Sequence, residues 1–180
     1  MLLSAADSLL LVVDIQDRLL PVMMDGDRVV QNTVRLLQAA QALDVPILLT
    51  EQYPQGLGAT VAPVRAAAGD APVLAKRDFS AYADPAVRAH IADSDRRHVV
   101  IAGIEAHVCV LQTALQLAAA RYHVVVVADA TSSRHADSVA VAQQRMAVAG
   151  VTLVTTEMCL FEWLGTAAHP AFKAVTSLIK

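Results

Sequence analysis

The chain has 180 residues, 14 Lys plus Arg against 17 Asp plus Glu, a net charge of −3, and 56% hydrophobic residues. A domain of this length buries roughly 70% of its unfolded surface, so it needs no disulfide or metal to stand. The acidic balance, with no basic cluster longer than that in "DRRH" (95–98), argues against nucleic acid or an anionic membrane as a partner.

The first segment, "SLLLVVD" (8–14), is a short continuous apolar run. Its upstream residues "MLLSAAD" carry no basic stretch, and Asp7 and Asp14 interrupt the apolar character, so neither a signal peptide nor a spanning helix is expected. Similar runs recur at "PILLT" (46–50), "APVLAK" (71–76), "HVVIAG" (98–103), "HVVVVAD" (123–129) and "VTLVTT" (151–156). Continuous rather than alternating runs are what strands buried on both faces require. Helical patterns lie between them, at 27–43, 84–93, 106–122 and 135–150, the last closed by Gly150. The tail predicts one or two short helices around 157–164 and 168–179. Segment 51–70, rich in Gly, Pro and Ala, reads as a long loop with at most a short helix.

This alternation predicts a single α/β domain over 1–180. Its architecture is three-layer αβα, a doubly wound, mainly parallel sheet of about six strands with right-handed crossovers. Such sheets bind ligands beyond the carboxyl ends of their strands. There stand Asp14 after the first run, Gln52 after the second, Lys76 after the third, and Gly103 then Cys109 after the fourth. A cysteine near a helix start is favoured as thiolate by the helix dipole, a lysine would lower its pKa further, and a carboxylate can shuttle its proton. The bland readings stand beside this one: Cys109 as a small packed hydrophobe, Asp14 as a cap, Lys76 as a solvated side chain. Cys159 has no acid or base around it and reads as packing. The two cysteines lack any CxxC or Cys/His ligand spacing and predict free thiols in a reducing, cytoplasmic setting.

"LLLVVDIQDRL" (9–19), "LAKRDFSAYAD" (74–84) and "GIEAHVCV" (103–110) together resemble the isochorismatase-like cysteine hydrolases, from about residue 8 to about 160. "TEQYPQGLG" (50–58) and "VVADATSSR" (126–134) resemble the branch of that family described only by its domain. The resemblance implies Asp14 as acid/base, Lys76 as its lysine and Cys109 as nucleophile. It further implies a non-proline cis peptide at Ile104–Glu105, with the backbone N–H groups of Glu105 and Cys109 as an oxyanion hole. The implied reaction is hydrolysis of an amide or carbamoyl C–N bond of a small molecule through a thioester. Gln16, Gln52, Phe79 and Tyr82 are the candidate substrate-lining residues. Nicotinamidases in this family bind a divalent metal through an Asp-x-His pair and a further His after the second strand. Here no histidine precedes His90, so neither metal nor cofactor is expected. Relatives commonly form dimers and larger rings, which implies a homo-oligomer.

Two rival readings carry different expectations. A dinucleotide-binding module needs a glycine-rich turn after the first strand, where this chain has "DIQDRLLP" (14–21). A catalytically idle or regulatory member acting through assembly would keep the same three residues without a reactive thiol. An ether-cleaving isochorismatase is a further alternative, disfavoured because those enzymes do not rely on a cysteine.

Overall fold

A computed structural model describes residues 2–180. Six strands form one all-parallel sheet: β1 Ser8–Val13, β2 Ile47–Gln52, β3 Val73–Lys76, β4 His98–Ile104, β5 His123–Ser132 and β6 Thr152–Val154. Their spatial order is β3-β2-β1-β4-β5-β6. The chain winds outward from β1 to one edge, then returns to β4 and winds to the other. The order therefore reverses between β1 and β4, which opens a crevice at their carboxyl ends.

The strands are continuous apolar runs because both sheet faces are covered. All six residues of β1 and all seven of β4 are buried. Leu10 and Val12 of β1 point into one core, with Leu36 and Leu37 of α1 (Gly26–Ala42), Leu160 of α7 (Thr156–Leu164) and Val175 of α8 (Phe172–Ser177). Leu9, Leu11 and Val13 point into the other, with Val87 and Ile91 of α4 (Pro85–Asp93), Leu117 of α5 (Leu111–Ala119) and Met146 of α6 (Ala136–Val148). Local chemistry sets the helix ends. The Asp84 side chain accepts from the N–H groups of Ala86 and Val87 at 2.9 and 3.2 Å, a typical N-cap. Gly150, just past α6, takes φ 84°, the left-handed turn expected of it.

Two segments differ from the sequence expectation. Segment 51–70 holds two short helices rather than at most one, α2 (Pro54–Leu57) and α3 (Ala62–Ala67). Pro54 and Pro63 sit in their first turns, where a preset φ starts a helix and a missing N–H costs nothing. The pattern over 106–122 is not one regular helix. It opens with a π-helical turn, Ala106–Val110, and becomes α-helical only at Leu111.

Candidate active site

Asp14 directly follows β1, whose last residue Val13 pairs with Thr50 on one side and Gly103 on the other. It adopts φ 53°, a left-handed conformation that Asp tolerates better than most residues. Backbone bonds hold it there: its N–H donates to the Thr50 carbonyl at 3.1 Å, and its own carbonyl accepts from Gln16 N–H at 2.9 Å. The turn points the carboxylate into the protein, where it is fully buried. Oδ2 accepts from Lys76 Nζ at 2.7 Å and Oδ1 from Thr50 Oγ1 at 2.8 Å.

Lys76 reaches this point from the end of edge strand β3, across β2. Its side chain and that of Asp14 are both 0% exposed. Nζ meets four acceptors: Asp14 Oδ2, Gln52 Oε1 at 2.7 Å, and the carbonyls of Asp78 and Phe79 at 3.2 Å each. Four acceptors exceed the three hydrogens of an ammonium, so the group is satiated and fixed. A buried ion pair with its remaining lone pairs and protons bonded in this way is stable, while either partner left alone is not.

Cys109 lies in the π-helical turn and is 6% exposed. Its thiol is pushed up from 9.0 to about 12, first by burial and then by the Asp14 charge. The Lys76 charge opposes this, while a hydrogen bond to the Asp14 side chain and the charge of Glu105 add to the rise. The expectation of a thiolate favoured by helix dipole and lysine is thereby corrected. The α-helix begins two residues later, and burial beside a carboxylate outweighs both favourable terms. The cysteine is thereby held as a protonated thiol.

Gly103 makes the approach possible. A Cβ built there would lie 2.0 Å from the Val13 carbonyl oxygen, and its φ is 128°. Only glycine lets β4 lie this close to β1 before the turn. The peptide Ile104–Glu105 is cis.

The four expected lining residues fare differently. Gln16 is fully buried and spent on the scaffold: Nε2 donates to the carbonyls of Gln52 and Gly58 at 3.0 and 2.7 Å, and Oε1 accepts from Gln52 N–H at 2.7 Å. Gln52 belongs to the Lys76 shell, its amide bridging Nζ to the Arg77 carbonyl at 2.7 Å. Phe79 is 56% exposed, and it is the backbone carbonyl of this residue that meets Lys76. Tyr82 is turned away from the strand carboxyl ends. Its ring packs edge-on against Tyr122, 5.9 Å between centroids, beside the start of β5. A 3₁₀ turn, Ala81–Ala83, lays that segment along α5, where Ala81 N–H donates to Thr113 Oγ1 at 2.8 Å.

Sequence reasoning did not single out Thr50, which holds the second oxygen of Asp14. Nor did it single out Arg134 in the loop after β5. Arg134 donates to both oxygens of Glu105 at 3.1 and 3.2 Å, and Ser133 Oγ lies 2.9 Å from His107 Nδ1. Two side chains thus fasten this loop to the turn that carries Cys109. Asp129 Oδ1 accepts from the N–H and Oγ1 of Thr156 at 2.7 and 2.9 Å, at the first turn of α7. A surface cavity of about 680 Å³ lined by Leu20, Met23, Asp25 and Gln31 includes none of Asp14, Lys76 or Cys109. Among the described residues, no group of three or more His, Cys, Asp and Glu is placed to hold a metal.

Residues 8–158 match the isochorismatase domain family model. The chain is 39% identical over 177 residues to isochorismatase domain-containing protein 2 of Danio rerio, covering 98% of this chain and 89% of that protein. It also matches the longer isochorismatase domain-containing protein 1 of the same fish, of which it spans 62%. Among solved structures, a protein described as the MAR1 ribonuclease of Caenorhabditis elegans superposes with a TM-score of 0.94 at 35% identity, over 99% of this chain and 92% of that one. The YcaC gene product of Escherichia coli, described as an octameric hydrolase of unknown specificity, gives a TM-score of 0.94 at 26% identity, over 99% and 89%.

Proposed function

The chain belongs to the isochorismatase family, and from that premise we propose that it is a cysteine hydrolase that cleaves an amide or carbamoyl C–N bond of a small molecule. The observation that carries this reading is the buried Asp14–Lys76 ion pair, whose charges both act on the Cys109 thiol. The thiol near 12 supports one order of events. At neutral pH only about one molecule in 10⁵ would hold a free thiolate, so proton transfer to Asp14 accompanies attack rather than preceding it. Sulfur bonds to the carbonyl carbon, and the new oxyanion takes hydrogen bonds from the backbone N–H groups of Glu105 and Cys109. Each such donor typically contributes about 3–4 kcal/mol. The tetrahedral species collapses, the C–N bond breaks, and Asp14 passes the thiol's proton to the departing amine. Asp14 then takes a proton from water as it attacks the thioester, releasing the acid, and returns that proton to sulfur. Lys76 keeps its proton throughout and orients Asp14.

The exposed Val141 and Val148 on α6, and Met158 and Phe161 on α7, offer apolar surface for the homo-oligomer that the octameric neighbour suggests. No helix among the described residues is long and apolar enough to cross a membrane. A cytoplasmic location fits the two free cysteines. One observation favours the second reading, a family scaffold without turnover: the resting thiol is buried and protonated.

A panel of primary amides and N-carbamoyl compounds, assayed by ammonia or amine release, separates the two. The hydrolase reading expects at least one compound turned over by the wild type and not by Cys109→Ala. Turnover that survives in Cys109→Ala, or none across the panel, contradicts it.

A further inference from the structure

At the opposite end of the sheet, roughly 20 Å from the strand carboxyl ends given the length of β4, lies a second polar cleft. It encloses about 430 Å³ where α4 and α5 end and β4 and β5 begin. Arg96, Arg97, Arg121 and His123 line it, with Tyr82 and Tyr122. The topology makes this cluster. Arg97 immediately precedes β4, and its carbonyl accepts from His123 N–H at 2.9 Å, so the two strand starts and the turns before them are held side by side.

The cluster lacks compensation. Asp95 is the one acidic residue lining the cleft. Among the described residues, none of the three arginines lies within 4.0 Å of a carboxylate in an ion pair. In a chain with 17 acidic and 14 basic residues, three arginines lining one cleft without an ion-pair partner stand out. Arg96 Nε is buried and has no hydrogen-bond partner among the described residues. A buried donor left unmade costs about 1–3 kcal/mol, more when charged.

Arginines beside helix C-termini often serve the helix dipole and its unpaired carbonyls. The terminal carbonyls here are already taken by backbone donors. Those of His90 and Ala92 accept from Ser94 and Asp95 at 3.2 Å each. Those of Gln116, Leu117 and Ala118 accept from Ala120, Tyr122 and Arg121 at 3.0, 3.1 and 3.0 Å. None of the three guanidinium groups makes a hydrogen bond to these carbonyls or to any other group among the described residues, although Arg96 also borders a neighbouring cavity that Glu162 lines.

We propose that this cleft is a binding site for a small phosphate-bearing anion, gripped by Arg96, Arg97 and Arg121 and walled by the Tyr82–Tyr122 pair. Guanidinium forks match phosphate oxygens in pairs, and three of them suit a dianion. The edge-on tyrosines give an apolar body and hydroxyl groups against which the organic part of a phosphomonoester rests.

The test is thermal unfolding with inorganic phosphate against chloride at matched ionic strength, on the wild type and on Arg97→Gln/Arg121→Gln. Both residues are exposed, so the unliganded variant should melt within about 1 °C of the wild type. Phosphate tenfold above its Kd should raise the wild-type Tm by roughly 3–6 °C and the variant's by less than a quarter of that. Calorimetric titration with phosphate should lose its signal in parallel. Iodoacetamide labelling of Cys109 in the variant should match the wild type, which separates this site from the thiol. No phosphate-specific shift, an equal shift in the variant, or stabilisation by an RNA oligonucleotide but not by phosphate would each overturn the proposal.

Discussion

Replacing Lys76 by Met isolates the energetics on which the buried site depends. The change keeps the length of the side chain and removes its charge. It leaves Asp14, 0% exposed, with only the neutral Thr50 hydroxyl and Cys109 thiol as side-chain partners. Stranding one member of a buried ion pair costs about 3–5 kcal/mol. Gln52 Oε1 and the carbonyls of Asp78 and Phe79 lose their donor as well. For a chain of this size each kcal/mol moves the Tm by about 2–4 °C, so Lys76→Met should melt roughly 6–20 °C below the wild type. The companion Asp14→Asn/Lys76→Met removes both charges and should recover at least half of that loss, because a neutral pair has no stranded ion. Urea titration monitored by circular dichroism gives both values independently of temperature. A Lys76→Met penalty under about 1 kcal/mol, or a double variant no more stable than the single, would refute the reasoning that the two charges stabilise each other in the folded state.

Three further outcomes follow from the same geometry. Cys109 has its pKa raised from 9.0 to about 12, so its contribution to stability is full below pH 9 and is lost as pH rises toward 12. Between pH 8 and pH 10.5 the wild type should lose roughly 2 kcal/mol more in urea unfolding than Cys109→Ala; equal losses contradict the raised value. Gly103→Ala drives a Cβ to 2.0 Å from the Val13 carbonyl oxygen, which should destabilise by about 3 kcal/mol or more and is checked by the same titration. Arg134→Ala uncovers the Glu105 charge beside the thiol. Iodoacetamide labelling of Cys109 at pH 8 should slow in that variant and quicken in Glu105→Gln, and the opposite pattern would remove Glu105 from the site's electrostatics.

Most of the fold was legible because a doubly covered parallel sheet writes itself as uninterrupted apolar runs, and β1 and β4 are the clearest cases. The placement of Asp14, Gln52 and Lys76 at strand ends followed from the same runs. What escaped were properties set by packing. A helical pattern over 106–122 has the same apolar spacing whether or not its first turn is π-helical, so the late start of α5 was invisible. The thiol's direction of shift depends on how deeply residue 109 is buried, and proximity to a helix start pointed the wrong way. Gln16 and Tyr82 were sensible pocket candidates by position along the chain. One was taken by backbone groups 36 and 42 residues away, the other by Tyr122. Arg134 sits in "VVADATSSR" but gives no local sign that it will grip Glu105, since the two come from adjacent strand ends 29 residues apart.

The central claim is that the carboxylate of residue 14 takes the proton from sulfur as sulfur attacks, and the rate of iodoacetamide alkylation of Cys109 at pH 7.5 in Asp14→Asn addresses it directly. The two effects of that carboxylate have opposite signs: as a negative charge it discourages thiolate, and as a base it creates it. The account predicts a rate at least tenfold below the wild type in a variant confirmed to be folded. An unchanged or faster rate would mean that Asp14 acts on the sulfur only as a repelling charge.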